Sequence, residues 1–103
     1  MEIHFRKKKL EKMLSSERMI KRYFSKIHAG LVNRLTELES VSNLSMITHL
    51  PPPRKHKLTG EYENYWAVDV SKNQRLLFSS YNSEITKEKN IQKIIIEGIK
   101  DYH

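Results

Sequence analysis

The spacing of hydrophobic residues in this 103-residue chain changes at three consecutive prolines, Pro51-Pro52-Pro53. Before the prolines, apolar side chains recur at steps of three and four residues, which is the spacing of one helix face. After them the apolar period is two, which is the spacing of a strand with one buried face. Proline lacks the amide hydrogen that continued helix or central strand needs, so this run separates two kinds of structure. The chain is therefore predicted to be α+β, with its helices first and most of its strands last.

The longest helical stripe predicts one amphipathic helix packed on a core, and it consists of Ile20, Phe24, Ile27, Leu31, Leu35 and Leu38. Ser15-Ser16 and Glu17 have the composition of its N-cap and acidic first turn. A shorter helix is predicted over Lys7–Leu14, after a first strand at residues 2–6. Ser42-Asn43 begins one more short helical turn.

The second half predicts three strands, the first of which opens at His56. Trp66, Val68 and Val70 alternate with their neighbours, and 71–74 has the composition of a turn. Residues 75–80 then return as the partner strand of a hairpin, and 92–99 form the last strand after a polar loop. The predicted order is β-α-α-(short α)-β-β-β in a single domain, residues 1–103. A helical hairpin is expected to cover one face of a mostly antiparallel sheet.

The charge of the chain favours a polyanionic partner. Its 19 Lys and Arg residues outnumber 12 Asp and Glu residues, which gives a formal charge of +7. Nine basic side chains lie in residues 1–26, and Arg54, Lys55 and Lys57 form a second basic cluster. Phosphate is the commonest target of such clusters, so these three residues are predicted to bind RNA or another phosphate-bearing partner.

Several classes of protein are not expected. Cysteine is absent, which excludes disulfides and thiolate metal sites, and no His or carboxylate pair has an HExxH-like spacing. No cofactor or metal site is therefore expected. No signal peptide or membrane-spanning run is apparent, so the cytoplasm is the expected location.

The chain ends in Asp101-Tyr102-His103, directly after an apolar strand that would hold these polar groups in place. With His56 and Arg75, which open two other strands, they have the chemistry for cutting RNA without a metal. Imidazole groups transfer protons near neutral pH, and arginine stabilises the charge of a phosphorane. His56, flanked by two lysines, suits a base. The period of two places Asp101 and Tyr102 on opposite faces unless the strand end is irregular.

The chain resembles the HigB family of bacterial toxin–antitoxin systems, within the RelE/ParE-like superfamily. The resemblance rests on His56-x-Leu58-x-Gly60, Tyr65-Trp66-x-Val68, Arg75-x-x-Phe78 and the terminal Asp101-Tyr102-His103. It covers roughly the second half of the chain in order and spacing, and the first half only in the order of elements.

The resemblance implies a toxin that cleaves mRNA on the ribosome and is inhibited by a HigA-type antitoxin with a helix-turn-helix. Operator DNA would then be bound only through the antitoxin. The catalytic residues implied by the family are His56, Arg75, Asp101, Tyr102 and His103. A loop lysine of the family falls on Thr59, and Lys57 or Lys55 would have to replace its charge.

Two other functions remain open from the sequence. Relatives with the same fold inhibit DNA gyrase by binding it, without acting as enzymes. Alternatively, the basic clusters could belong to a small RNA- or ribosome-binding module that performs no chemistry. Two histidines and an acidic terminal strand favour the nuclease over the gyrase inhibitor, because these groups can transfer protons.

Overall fold

A computed structural model of the chain describes residues 1–101, which form three α-helices and one five-stranded sheet. The helices are α1 (Lys8–Met13), α2 (Glu17–Tyr23) and α3 (His28–Ser40). The strands are β1 (Glu2–Phe5), β2 (His56–Lys57), β3 (Trp66–Asp69), β4 (Gln74–Ser80) and β5 (Lys93–Asp101). Short 3₁₀ turns lie at Leu44–Met46, Gly60–Tyr62 and Glu88–Asn90.

The strands lie in the order β1-β5-β4-β3-β2. β1 runs parallel to β5, and the other neighbouring strands are antiparallel. This arrangement confirms the prediction of an α+β fold with a mostly antiparallel sheet. β5 lies between β1 and β4, so the strand that leads to the C-terminal residues is central in the sheet and remains paired as far as Asp101.

The two faces of the sheet differ in what covers them. The helices pack on one face, where the buried core includes Ile20, Leu31, Leu38, Val68, Leu76, Phe78, Ile94 and Ile96. The period of two sends the intervening side chains to the other side, which we call the open face. The open face carries Arg75, Leu77 and Ser79 from β4 and Gly98 and Lys100 from β5.

A β-bulge interrupts the pairing of the two central strands. Leu77 pairs with Gly98, whereas Phe78 pairs with Ile96, so Glu97 is the extra residue on β5. A bulge redirects a side chain and bends its strand, and bulges are frequent beside functional sites. Here Glu97 is directed to the open face, where its carboxylate contacts the Ser79 hydroxyl.

The prediction of one long helix through Leu38 is wrong, because the chain leaves the helical conformation between α2 and α3. Phe24, at the end of α2, has φ −133° and ψ 47°. A continuous helix from Glu17 to Ser40 would be about 36 Å long, and the longest dimension of the molecule is 35 Å. The break allows both helices to pack over one small sheet while their apolar spacing continues across it.

Two predicted helix starts are confirmed by their capping contacts. The Ser16 hydroxyl accepts a 3.2 Å hydrogen bond from the Met19 amide at the start of α2. The Asn43 side chain accepts a 3.0 Å bond from the Ser45 amide, which begins the first 3₁₀ turn. These bonds satisfy backbone donors that would otherwise lack partners. No helix within residues 1–101 combines the length and the apolar character needed to cross a membrane.

Gly30 is expected to be essential for packing α3 on the sheet. A Cβ atom at this position would lie 1.7 Å from the Val70 carbonyl oxygen. Gly30→Ala should therefore lower the free energy of unfolding by about 1–3 kcal/mol, the usual cost of overpacking. Helix propensity alone predicts the opposite sign, a gain of about 1 kcal/mol. Urea denaturation measures the difference.

Gly98→Ala is the control for this substitution, because a Cβ there would meet no atom within 4 Å. We expect the control to be at least as stable as the parent protein. A Gly30→Ala variant with parental or higher stability would contradict the close approach of α3 to the sheet.

Candidate active site on the open face of the sheet

The structure brings two predicted site residues, His56 and Arg75, into direct contact. Arg75 Nη1 lies 3.3 Å from His56 Nε2, and His56 Nδ1 lies 2.7 Å from the Arg54 carbonyl oxygen. A carbonyl only accepts and a guanidinium only donates, so this geometry fits an imidazole with its hydrogen on Nδ1 and a lone pair on Nε2. That neutral form can accept a proton at Nε2.

Arg54 contributes to this arrangement through its backbone. Its φ of 48° is in the left-handed region, which non-glycine residues rarely adopt. Its guanidinium binds Asp69 in β3 through two bonds, Nε to Oδ2 at 2.6 Å and Nη2 to Oδ1 at 3.0 Å. This bidentate pair fixes the loop before β2 and with it the carbonyl that orients His56.

Lys55 and Lys57, both predicted to bind phosphate, lie in different surroundings. The Lys55 side chain is only 9% exposed, forms an ion pair with Glu88 and donates a 3.1 Å bond to the Leu44 carbonyl. It joins the first 3₁₀ turn to the loop before β5. Lys57 is exposed, with its ammonium 5.8 Å from the centre of the Trp66 ring. Of the two, only Lys57 presents its charge to solvent.

Asp101 does not lie with His56 and Arg75. It is paired with Gln74 in the sheet, and the Gln74 amide donates a 2.6 Å bond to its carboxylate. The Asp101 side chain lines a concavity beside the α2–α3 connection, on the helix side of the sheet. The alternation of β5 causes this, because Lys100 takes the position opposite Arg75. Tyr102 and His103 lie outside the described residues.

The sequence reasoning missed Lys100 and its partner Tyr62. Lys100 lies opposite Arg75 across β4 and β5, and its ammonium donates a 2.7 Å bond to the Tyr62 hydroxyl. The Tyr62 ring is 5.7 Å from that of Tyr65. The period of two in β5 was a usable signal for Lys100, because it places this residue on the face opposite Ile99. Nothing local indicated Tyr62, which follows Gly60 in a connecting loop.

A second cluster on the open face joins Arg6, Glu97 and Ser79. Arg6 Nε and Nη2 each donate a 3.0 Å bond to the Glu97 carboxylate, and the Ser79 hydroxyl donates a third at 2.5 Å. The Glu97 side chain is 5% exposed, whereas that of Arg6 is 56% exposed. Burial raises the pKa of Glu97, but the hydrogen bonds from Arg6 and Ser79 outweigh it, so the pKa lies below its usual value.

The lowered pKa of Glu97 predicts how its contribution to stability depends on pH. The ionised carboxylate stabilises the folded protein above the ordinary carboxyl pKa, and this stabilisation is lost as pH falls through the lower folded value. Glu97→Gln should cost about 1–3 kcal/mol at pH 7, because it removes a charge-assisted pair. The cost should shrink as the solution is acidified toward pH 3, which urea denaturation at a series of pH values measures. Glu84→Gln, in an exposed loop, is the control; a Glu97→Gln cost that is constant with pH would rule out this linkage.

The fold is that of the RelE/YoeB-like toxins. The structure is similar to the YoeB/ParE toxin from Agrobacterium tumefaciens, with a TM-score of 0.59, 9% sequence identity and 100% of both chains covered. It is also similar to a conserved hypothetical protein from Helicobacter pylori, with a TM-score of 0.50, 10% identity, and coverage of 98% of this chain and 93% of the other. No protein-family model and no curated protein matches the sequence. Likeness at this level of identity establishes the fold, and function has to be argued from the site.

Proposed function

We propose that the protein is a HigB-type toxin of a type II toxin–antitoxin system and that it cleaves mRNA on the ribosome. The observation that carries the proposal is the contact of His56 Nε2 with Arg75 on the open face of a toxin-type sheet. A proton acceptor lies there beside a positive charge, and these are two of the three groups that cleavage of RNA by its own 2′-hydroxyl uses.

In the proposed reaction, His56 Nε2 takes the proton of a ribose 2′-hydroxyl. The 2′-oxygen then attacks the adjacent phosphorus, and the bond to the 5′-oxygen of the next nucleotide breaks. Arg75 stabilises the negative charge of the phosphorane through its planar fork. The departing 5′-oxygen takes a proton from an acid, for which His103 is our candidate from the sequence. The products are a 2′,3′-cyclic phosphate and a 5′-hydroxyl, so no metal-activated water is required.

The cation beside this pair supports RNA as the substrate. Lys100 lies opposite Arg75 in the sheet and is our candidate for the charge that the family places at the position of Thr59. Lys57 pairs with Trp66, so its side chain lies on the face of the sheet opposite to His56. Lys55 and Arg54 bind acidic residues of the protein itself. We assign Arg54 the role of orienting His56, and we place Lys55 among the residues that hold β2 in position.

The proposed partners follow from the same assignment. They are mRNA, the ribosome and a HigA-type helix-turn-helix antitoxin, through which alone the toxin would contact operator DNA. The site of action would be the cytoplasm.

The proposal is tested by inducing the protein without an antitoxin and mapping the 5′ ends of cellular mRNA. We expect growth arrest and new ends within coding regions, and these ends should carry 5′-hydroxyls that ligate to an adaptor only after phosphorylation. A 2′-deoxy nucleotide at the cut position should prevent cleavage of mRNA in purified ribosome complexes. Intact message with normal growth would overturn the proposal, as would 5′-phosphate ends. DNA breaks that depend on gyrase, without RNA cuts, would instead identify a gyrase inhibitor.

A further inference from the structure

The open face contains a concavity next to His56 and Arg75, which we call the Gly98 concavity. Gly98 and Leu77 form its floor, Tyr62 and Tyr65 one side, and Arg6, Lys7 and Lys100 its cationic rim. Its volume is about 430 Å³, within the range of small-ligand sites. Since Lys100 is directly opposite Arg75 in the sheet, the concavity adjoins the proposed cleavage site.

The glycine in its floor is not explained by the packing of the protein. A Cβ on Gly98 would meet no atom within 4 Å, and its φ lies outside the left-handed region where glycine is favoured. A glycine inside a strand weakens the strand, and it often marks a bulge, here the one at Glu97, or a place where a ligand approaches the backbone. Gly98 therefore leaves the floor flat and open to a planar group.

The walls of the concavity have the chemistry of a nucleotide site. The Tyr62 and Tyr65 rings are only partly buried and lie 5.7 Å apart, tilted by 33°. Such rings bind nucleobases by stacking, with little dependence on sequence. Lys100 is held by the Tyr62 hydroxyl, close to both the aromatic wall and the proposed cleavage site.

Arg6 is held in place for a ligand on the rim. Its Nε and Nη2 are bound to the buried Glu97 carboxylate, yet more than half of the side chain is exposed. A guanidinium has five donors, so the pair with Glu97 leaves others directed toward solvent. Glu97 therefore acts as a positioning residue, and Arg6 presents fixed donors to a phosphate.

We propose that the Gly98 concavity binds the nucleotide next to the scissile phosphate. The base lies on the floor against the tyrosines, and Arg6, Lys7 and Lys100 bind its phosphate. This inference rests on the proposed function, since it places the nucleotide relative to a phosphate at His56 and Arg75. The concavity would be a nucleotide site next to the cleavage site, where the base is recognised by stacking and the phosphate by charge.

The test is binding of a trinucleotide RNA with a 2′-deoxy central ribose, which cannot be cut, followed by amide NMR shifts of the folded protein. We expect shifts at Leu77, Gly98 and Lys100 as well as around His56. Gly98→Val should weaken binding about 5- to 150-fold, the value of one stacked base, without lowering the melting temperature. Tyr62→Ala should weaken it similarly, and Tyr81→Ala, an exposed tyrosine outside the concavity, should not.

An abasic trinucleotide adds a second readout, because it has no base to stack in the concavity. It should therefore bind the parent protein weakly, and Gly98→Val should leave that weak affinity almost unchanged. Parental affinity of Gly98→Val for the intact trinucleotide would overturn the inference, as would shifts confined to the surroundings of His56. These outcomes are separate from failure of the proposed function. A protein that binds RNA through the concavity and never cuts it would retain this site and lose the nuclease assignment. A Gly98→Val variant that binds and cuts RNA like the parent would remove the nucleotide site at the concavity and leave the nuclease assignment intact.

Discussion

Substitution of His56 by alanine is expected to lower the rate of RNA cleavage about 10²–10⁴-fold, the usual contribution of one proton-transfer group. The reason is the position of Nε2, whose lone pair faces Arg75 because Nδ1 faces the Arg54 carbonyl, so that Nε2 can take the 2′-hydroxyl proton once Arg75 binds the phosphate. His56 is only partly buried and lies in a strand of two residues outside the hydrophobic core, so the fold should survive. Single-turnover cleavage of mRNA in ribosome complexes measures the effect, and circular dichroism checks the fold.

His49→Ala is the matched control, since His49 is exposed in the loop before the prolines. Arg75→Lys separates charge from geometry, because lysine keeps the charge and loses the planar fork. We expect it to cleave more slowly than the parent protein and faster than Arg75→Ala. If His56 and Arg75 act on one transition state, the double alanine variant should lose less than the product of the single losses. Parental cleavage by folded His56→Ala would remove this residue from the site.

Deletion of Asp101 to His103 is expected to lower the rate of RNA cleavage about as much as His56→Ala does, because it removes the candidate acid for the departing 5′-oxygen. Asp101 is exposed at the end of β5, so the truncated protein should remain folded. The same assay with point variants assigns the effect. His103→Ala should account for most of the loss, about 10²–10⁴-fold.

Asp101→Asn should have a much smaller effect than His103→Ala. Its carboxylate binds Gln74 on the helix side of the sheet, and an asparagine can still accept that bond. Equal losses from the two substitutions would show that Asp101 reaches the cleavage site after all. A truncated, folded protein that cuts RNA at the parental rate would exclude the C-terminal residues from catalysis.

Features that depend on residues close together in the chain could be predicted from the sequence, and features that depend on distant residues could not. The Ser16 cap and the β3–β4 hairpin depend on residues within a few positions of one another, so local patterns predicted them. The break after Tyr23 was not predictable in this way. Apolar spacing continues through it, and only the size of the sheet limits the helix length.

In the candidate site, too, the residue types were predictable from the sequence, whereas the contacts between distant residues were not. The residue types of His56 and Arg75 and their places at the starts of strands were readable from the sequence, and their contact required the pairing of β2, β3 and β4. Arg6 and Glu97 are 91 positions apart and meet only because β1 lies beside β5. No local pattern encodes such a pair.

The sequence by itself determined the α+β class, the order of most elements and the residues able to transfer protons or bind phosphate. These follow from hydrophobic period and side-chain chemistry, which are properties of short segments. Only the tertiary structure decided which face each residue occupies. The bulge at Glu97 and the register of β5 direct Lys100 to the open face and Asp101 to the helix side, while Glu88 encloses Lys55. Strand register and burial are set by packing between distant segments, and a shift of one residue would exchange the two faces.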